Sequence, residues 1–548
     1  MDRIYLGIYY ISIIGGIILA AVGVYFFFHD KKGRETDIRT SVIEGEVSRI
    51  AVLLLFLVAL ILRLFRLGEV PYGINQDEAM SVVNARAIFE TGKDLWNHSY
   101  PAEFIAWGNS GQSVLLAYSM IPLIALFGDG LAVVRIIPVL YSMIGLVAFY
   151  FLAKKLTSSN TAFAITVLAA FSPWHFMQSR WGLDCNLMGH LWILGILMLF
   201  LALENRRWYY GAAVVFGLSM YSYGISFYTI SVFLLIGILI LLRRQQISLK
   251  QTLGCIGIFL LVSLPIDLTM LINTFHLETL SIAGITMPLL PEQIRSQDIL
   301  LFAFSGEQLL SNGKSLLTLL LGQYDHLWFN SNLFFGTIYL CSMPFALVGL
   351  VKTGYEAHRN DDGKCKSRWM LILLYVLISL LSGILTREVN VNRMNFLYYG
   401  LILLTGIGIM TLFEMRKKWK MMVYGMYAIN ILAFLFMYFT LWANTSDFFG
   451  DYEAAIKAAG ETGKEHCAVV VEYDSPDMAR ILTMYQQKIP AKEYQDGSFD
   501  RKFIFYEDLQ TLDLTPEDMS YVVRLADASA FPDTYQTDIY GAYAVVYK

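Results

Sequence analysis

Long apolar runs recur along this chain from its first residues to about residue 441, and nothing constrains its folding more. They fall at about 4–28, 50–66, 132–153, 160–173, 187–204, 208–223, 225–242, 252–270, 333–351, 369–385, 397–413 and 421–441, twelve in all. Backbone polar groups inside a bilayer must bond within their own segment or around a closed barrel. Barrel strands alternate apolar and polar residues, which these runs do not, so the runs read as membrane-spanning helices. Hydrophobic residues make up 56% of the 548 and charged residues 16%, against roughly a quarter charged in a soluble domain. A purely soluble enzyme, a disordered scaffold and a disulfide mini-protein are excluded.

Charge sets the orientation. The run at 4–28 is too long for a signal-peptide core and has only Arg3 as a basic leader, so it is expected to be a retained span. Lys31, Lys32, Arg34, Arg39 and Arg49 place the loop at 29–49 in the cytoplasm, as do Lys154-Lys155, Arg206-Arg207, Arg243-Arg244, the 352–368 loop and Arg416-Lys417-Lys418 for later turns. Arg63 and Arg66 then stand at the outer end of their helix and are expected to snorkel to the interface. Residues 113–127 are apolar but short, contain Pro122, and would invert the scheme as a span, so they are read as juxtamembrane.

Three segments lie outside: 67–131, 271–332 and the tail. The middle loop is expected to be part-helical and to lie on the membrane surface. Residues 443–548 carry 19 acidic and 9 basic side chains, whereas the rest carries 26 and 32. In the tail, strand patterns at 468–473, 521–524 and 543–547 with a helical pattern at 477–486 read as a small α/β domain. The domains expected are thus an N-terminal span with its loop (1–49), a multi-span unit (50–441) and an extracytoplasmic domain (442–548). The five cysteines show no CxxC spacing and read as packing residues. No basic patch interleaved with aromatics suggests nucleic acid.

Polar residues of chemical interest gather on the outer face. Asp77 and Glu78 follow Pro71-Tyr72-Gly73 about ten residues beyond a span, and adjacent carboxylates near an apolar surface favour a raised pKa in one of them. By themselves they fit equally an acidic pair at a helix N-terminus. The second outer turn holds His175, Arg180 and Asp184, the last two at ion-pair spacing. His175 reads as an interfacial side chain, with no second histidine at ligand spacing. The third, 386–395, holds Arg387 and Arg393 with Asn390, Asn392 and Asn395; arginine there suits a phosphate or a lipid headgroup.

Taken together, Arg63-Leu64-Phe65-Arg66-Leu67, Pro71-Tyr72-Gly73, Asp77-Glu78, Tyr100-Pro101, Trp107-Gly108, Gly111-Gln112, Ser179-Arg180, Leu183-Asp184, Tyr221-Ser222-Tyr223-Gly224, Gln323-Tyr324-Asp325 and Asn392-Arg393 make the chain resemble the C-type membrane glycosyltransferases that use polyprenyl-phosphate sugars, including protein O-mannosyltransferases and aminoarabinose lipid A transferases. The resemblance covers nearly all of residues 50–441. It implies a GT-C-like polytopic α-helical fold of about twelve spans, with the leading span and the α/β tail as additions. It implies Asp77 as general base supported by Glu78, with Arg393 and Arg180 on the donor phosphate. Tyr100, Trp107, Gln112, Tyr324, Asp325 and Asn392 are the substrate-loop candidates. Asp184 matches a second-loop acid that binds a divalent cation in some relatives and not in others. The co-substrate implied is the polyprenyl-phosphate sugar, and a divalent ion at Asp77 and Asp184 stays open.

The function expected is transfer of a hexosyl or pentosyl group to an acceptor hydroxyl on a lipid, glycan or protein, with inversion, at the outer face of the cell membrane. Lack of a Gly-rich phosphate loop before any helix accords with a lipid-linked donor. The rival reading is a transporter or lipid flippase, which would place its acids near the bilayer midplane, where Asp267 beside Pro265 is the best candidate.

Overall fold

The computed structural model describes residues 47–107, 110–291, 305–386, 388–415, 419–441, 447–470, 476–512 and 518–548, with scattered positions before residue 47. The expected first span, most of the basic loop behind it, Gly108, Arg387, the turn at 416–418 and the end of the first tail strand at 471–473 lie outside the described residues.

Helix α1 (Arg49–Leu64) starts at Ser48, whose hydroxyl accepts from the Ala51 amide, and leaves Leu53, Leu57 and Ile61 exposed as a lipid-facing side chain would be. The first outer loop then forms α2 (Gln76–Thr91), the short strands β1 (Glu103–Ile105) and β2 (Gly111–Ser113), and α3 (Leu115–Phe127). At 13 residues α3 is shorter than the roughly 20 needed to span, and it packs along α2. The bundle continues with α4 (Ile136–Leu156), α5 (Ser159–Phe171), the single turn-and-a-half α6 (Pro173–Gln178), α7 (Cys185–Ala202), α8 (Trp208–Ser219), α9 (Ser226–Arg243) and α10 (Leu249–Phe275). The hairpin β3 (Leu280–Ile282) and β4 (Ile285–Met287) precedes α11 (Gly306–Gly322). Helices α12 (Ser342–Arg359), α13 (Gly363–Leu385), α14 (Leu397–Met415) and α15 (Lys420–Thr440) complete it.

Among the described residues six helices are long and apolar enough to cross a membrane: α4 with its preceding turn, α7, α9, α10, α13 and α15. Helices α1, α5 and α8, with 16, 13 and 12 residues, stand where spans were expected but are short of that length. One boundary needs correction. The run at 333–351 is a helix only from Ser342, because side chains hold the preceding turns: Gln323 Oε1 accepts from the Thr337 and Ile338 amides, and Asn332 Oδ1 from those of Phe334 and Phe335. Backbone groups engaged in this way are withdrawn from a helical ladder. Helices α12 and α14 meet backbone to backbone, since a Cβ on Gly349 or Gly408 would overlap the carbonyls of Leu404 or Phe345.

The tail comprises α16 (Tyr452–Glu461), β5 (His466–Val470), α17 (Pro476–Gln486), β6 (Phe503–Tyr506), β7 (Met519–Arg524), β8 (Gln536–Tyr540) and β9 (Tyr543–Tyr547). They form one sheet in the order β6-β5-β7-β9-β8, parallel over the first three strands and antiparallel over the rest. Strands β6 and β8, both at edges, escaped the sequence pattern. The tail is docked on α2. Arg86 donates to Asp129 at 2.8 Å and to the Met484 carbonyl at 2.9 Å, the Ala491 amide to Glu90 at 2.9 Å, and Gln495 to the Asp94 carbonyl at 2.9 Å. One apolar cluster runs from Val82 and Val83 of α2 to Tyr452, Ile456 and Tyr485 of the tail.

Candidate active site

Helix α2 begins at Asn75, whose side-chain oxygen accepts from the Asp77 amide at 2.9 Å. This cap puts Asp77 and Glu78 in the first turn, where the helix dipole favours the ionised carboxylate. Neighbours on a helix point about 100° apart, and these two part company. Glu78 is fully buried: both its oxygens take the Arg135 guanidinium at 3.0 Å, and Oε1 also accepts from the Gly182 amide at 2.9 Å. Arg135 donates further to the carbonyls of Pro71 and Gly73, so Glu78 is bound into the wall. Asp77 is half-buried. Its Oδ1 accepts from Trp107 Nε1 at 2.7 Å, and its carbonyl from Gln112 Nε2 at 3.0 Å.

Asp184 caps α7. Its Oδ1 accepts from the Cys185 amide at 2.8 Å and its Oδ2 from the Ser113 amide at 3.3 Å. Ser113 follows Gln112 on β2, so one strand touches both acids. Asp77 and Asp184 both lie close enough to the Cys185 thiol to act on it electrostatically. Both Asp184 oxygens accept from backbone amides, and among the described residues no three His, Cys, Asp or Glu side chains converge.

The structure buries the second turn. Arg180 is fully buried, with its guanidinium spent on the carbonyls of Val70 (2.6 Å), Phe65 (2.9 Å), Leu62 and Arg66 (both 3.1 Å) and Arg63. It staples the end of α1 and the loop after it. His175 is not interfacial but wholly buried, between Arg63 at 2.7 Å and the Tyr399 hydroxyl at 2.8 Å. Arg63 likewise does not snorkel: it turns inward onto His175 and the Ala59 and Ala170 carbonyls.

The third turn is tied to the second by Asn395. Its Oδ1 accepts from Trp174 Nε1 at 2.7 Å, and its Nδ2 donates to the Cys185 carbonyl at 2.9 Å and to Asn186 at 3.0 Å. Asn392 and Arg393, both half-buried, sit on the same turn, where the Arg393 amide is held by Asn390 at 3.0 Å. Asp325 joins the loops: its carboxylate accepts from the amides of Val391 (3.0 Å) and Leu327 (3.1 Å), from Asn330 (2.9 Å) and from Ser331 (2.8 Å). That makes it a loop fastener, while the adjacent Tyr324 packs its ring on His326. Tyr100 stands apart from this group. It lies against Gly92 at the far end of α2, about 22 Å from Asp77 by helical rise. Asp267 accepts from Ser263 on its own unbroken helix at 2.6 Å, which gives the transport reading no broken-helix site.

Arg135 and Asn75 were not singled out from sequence, and Asn395 only as one of three asparagines in its turn. Signals existed: Asn75 precedes two acids at a helix start, and Arg135 is the one charged residue between Asp129 and Lys154, the kind of cation that needs a partner in an apolar setting. Trp181 covers Arg135, ring over guanidinium at 4.9 Å, and meets Trp328 at 5.6 Å and Phe449 of the tail at 6.3 Å. The tail therefore reaches the wall beside Glu78.

A polytopic helical bundle with an acid at an outer-loop helix start and an arginine turn tied beside it is similar to the C-type, polyprenyl-phosphate-dependent membrane glycosyltransferases. More particularly, residues 112–267 match the family model of dolichyl-phosphate-mannose-protein mannosyltransferases, a stretch that includes Asp184 but neither Asp77 nor Arg393. No curated protein matches the sequence. Solved structures with a similar course include the Archaeoglobus fulgidus oligosaccharyltransferase in its apo form, at 12% identity over 88% of this chain and 70% of that one, with a TM-score of 0.48. Another is ArnT from Cupriavidus metallidurans bound to undecaprenyl phosphate, at 12% identity over 91% and 98%, with a TM-score of 0.43. A third is the mycobacterial arabinofuranosyltransferase AftD, at 15% identity over 78% and 30%, with a TM-score of 0.34.

Proposed function

We propose that this chain transfers a hexosyl or pentosyl group from a polyprenyl-phosphate donor to an acceptor hydroxyl at the outer face of the membrane, by inverting displacement at the anomeric carbon. Asp77 carries this reading: it is a half-buried carboxylate at a helix start, oriented by Trp107, while its neighbour Glu78 is committed to Arg135. In the reaction the acceptor oxygen forms its bond to the anomeric carbon as the carbon–oxygen bond to the phosphate breaks. Asp77 takes the hydroxyl proton and polyprenyl phosphate leaves as the anion. Arg393, on the turn that Asn395 fixes beside Cys185, is the cation assigned to that anion. Asp184, held by two amides, keeps β2 and α7 together beneath Asp77. No step is assigned to a metal ion. The acceptor is a lipid, glycan or protein hydroxyl.

The test is release of polyprenyl phosphate from labelled polyprenyl-phosphate hexoses and pentoses by the purified protein with an acceptor panel, beside Asp77→Asn. The expected result is turnover by the unaltered protein and a fall of about 10²–10⁴-fold in the folded variant. An Asp77→Asn protein with unchanged turnover would remove Asp77 as base. Intact donors combined with lipid movement across reconstituted vesicles would replace the transferase reading with transport.

A further inference from the structure

The β3–β4 hairpin has no part in the site above, and its sequence is two-faced. The register pairs Leu280 with Met287, Ser281 with Thr286 and Ile282 with Ile285. Opposed residues of an antiparallel pair share a face and successive residues alternate. Leu280, Ile282, Ile285 and Met287 therefore make one apolar face, while the Ser281 and Thr286 hydroxyls, 3.1 Å apart, make the other. Only the base of the apolar face is covered. Met287 is buried with Ala102 and Ile272, whereas Leu280, Ile282 and Ile285 are exposed.

The uncovered surface does not stop at the hairpin. It continues through Leu277 and Phe275, 52% and 65% exposed, to Leu271, Leu264 and Leu261 of α10. Helix α10 is a 27-residue apolar helix of membrane-crossing length with most of its surface uncovered, the property of a lipid-facing span. The hairpin is held back against the last turns of that helix: Asn273 donates to the Pro288 carbonyl at 2.9 Å and accepts from the Leu290 amide at 2.8 Å. Its far strand is pinned to the first outer loop, with the Thr286 amide donating to the Ser99 carbonyl at 3.0 Å and the Ala102 amide to the Thr286 carbonyl at 2.8 Å. His276 and Glu278 are exposed at the junction, suited to headgroup depth.

We propose that the β3–β4 hairpin rests its apolar face on the outer-leaflet lipid surface and thereby sets the height of residues 99–102, and of the β1–β2 strands that follow, above the bilayer. Continuity with α10 selects lipid as the occupant, because the same apolar surface passes without a break from a membrane-crossing helix onto the ribbon. The physics is that of an interfacial amphipathic helix, with a period of two in place of 3.6.

Nitroxide labels on Leu280→Cys, Ser281→Cys, Ile282→Cys and Ile285→Cys, one at a time in the full chain in phosphatidylcholine–phosphatidylglycerol nanodiscs, test the proposal. The five native cysteines are buried, and the labelled parent protein serves as blank. Oxygen concentrates in lipid and a nickel chelate stays in water. The expected result is relaxation dominated by oxygen at 280, 282 and 285, and by the chelate at 281. Chelate-dominated relaxation at all four would overturn the proposal in favour of a water-facing ribbon. Weak relaxation by both agents at the three apolar positions would overturn it in favour of a protein cover. Neither readout depends on turnover, so a failure of the transferase reading leaves this result interpretable.

Discussion

Arg180 and Arg393 each stand in a polar turn between apolar helices, and in sequence either could grip a phosphate. In the folded chain Arg180 is fully buried and bonded to five backbone carbonyls, all between residues 62 and 70. Arg393 is half-buried on a turn whose anchoring falls to other groups: Asn390 on its amide, Asp325 on the Val391 amide, and Asn395 on α7. A turn needs its free amides and carbonyls satisfied before it can present a charge. In the second turn the arginine is itself spent on the carbonyls of residues 62–70; in the third, asparagine and aspartate hold the backbone of the turn.

The same division separates Asp77 from Glu78. Glu78, Arg135 and the Gly182 amide close one face of the α2 start, and Asp77 is left with Trp107 on the other. In both pairs, one member is consumed by the fold beside the member to which the proposed reaction assigns a role.

The largest effect expected from breaking this contrast is at Arg180. Arg180→Ala leaves five carbonyls without their donor, each such loss costing about 1–3 kcal/mol when the group stays buried. The variant is expected to lose its monodisperse peak in detergent, and Arg180→Lys to recover it only in part, because an ammonium lacks the planar fork. A well-folded Arg180→Ala protein with a raised donor KM would reverse the assignment and return Arg180 to the phosphate.

Arg393→Ala should behave in the opposite way. The variant is expected to keep its monodisperse peak, because Asn390 and Asp325 hold the backbone of the turn, while turnover falls about 10²–10³-fold, the scale of losing one charge-stabilising donor. Arg393→Lys should recover part of that loss, since a point charge still attracts the leaving phosphate. Turnover equal to the parent's in Arg393→Ala would show that the third turn, like the second, is only structural.

Sequence carried the fold class because lipid leaves few choices: apolar runs of spanning length must be helices, and basic turns orient them. It also carried Asp77, Trp107 and Gln112 as neighbours, through a resemblance and not through spacing. What it could not carry was direction. Whether an arginine at a helix end turns inward or outward depends on which carbonyls another segment leaves open, and those of residues 62–70 face Arg180 only after α1 and α6 have packed. The place of Tyr100 was hidden for a different reason. The 16-residue α2 lies between it and Asp77, a separation hidden in a loop whose helical moment is weak. Strand β8 was illegible because its residues are mostly exposed and polar, so no alternation marked it.

The smallest effect probes the closed side of the contrast, where the tail meets Glu78 and Arg135. Burial holds the Glu453 carboxyl of α16 above the ordinary glutamate range; Arg135 and Lys457 oppose that shift and Glu78 adds to it. A carboxyl whose pKa is higher folded than unfolded binds its proton more tightly in the folded chain. It therefore favours the folded state below the unfolded value of 4.5 and loses that advantage as the pH rises through the folded value. At neutral pH the ionised Glu453 weakens the docked tail. Glu453→Gln, which carries no charge at either pH, is thus expected to raise the Tm at pH 7 by about 1–3 °C and to leave it nearly unchanged at pH 4. The same variant should flatten the rise in Tm that the parent shows on acidification from pH 7 to pH 5. Equal Tm shifts at pH 7 and pH 4 would mean that Glu453 acts through packing, and that the wall formed by Glu78, Arg135 and Trp181 is indifferent to the charge facing it.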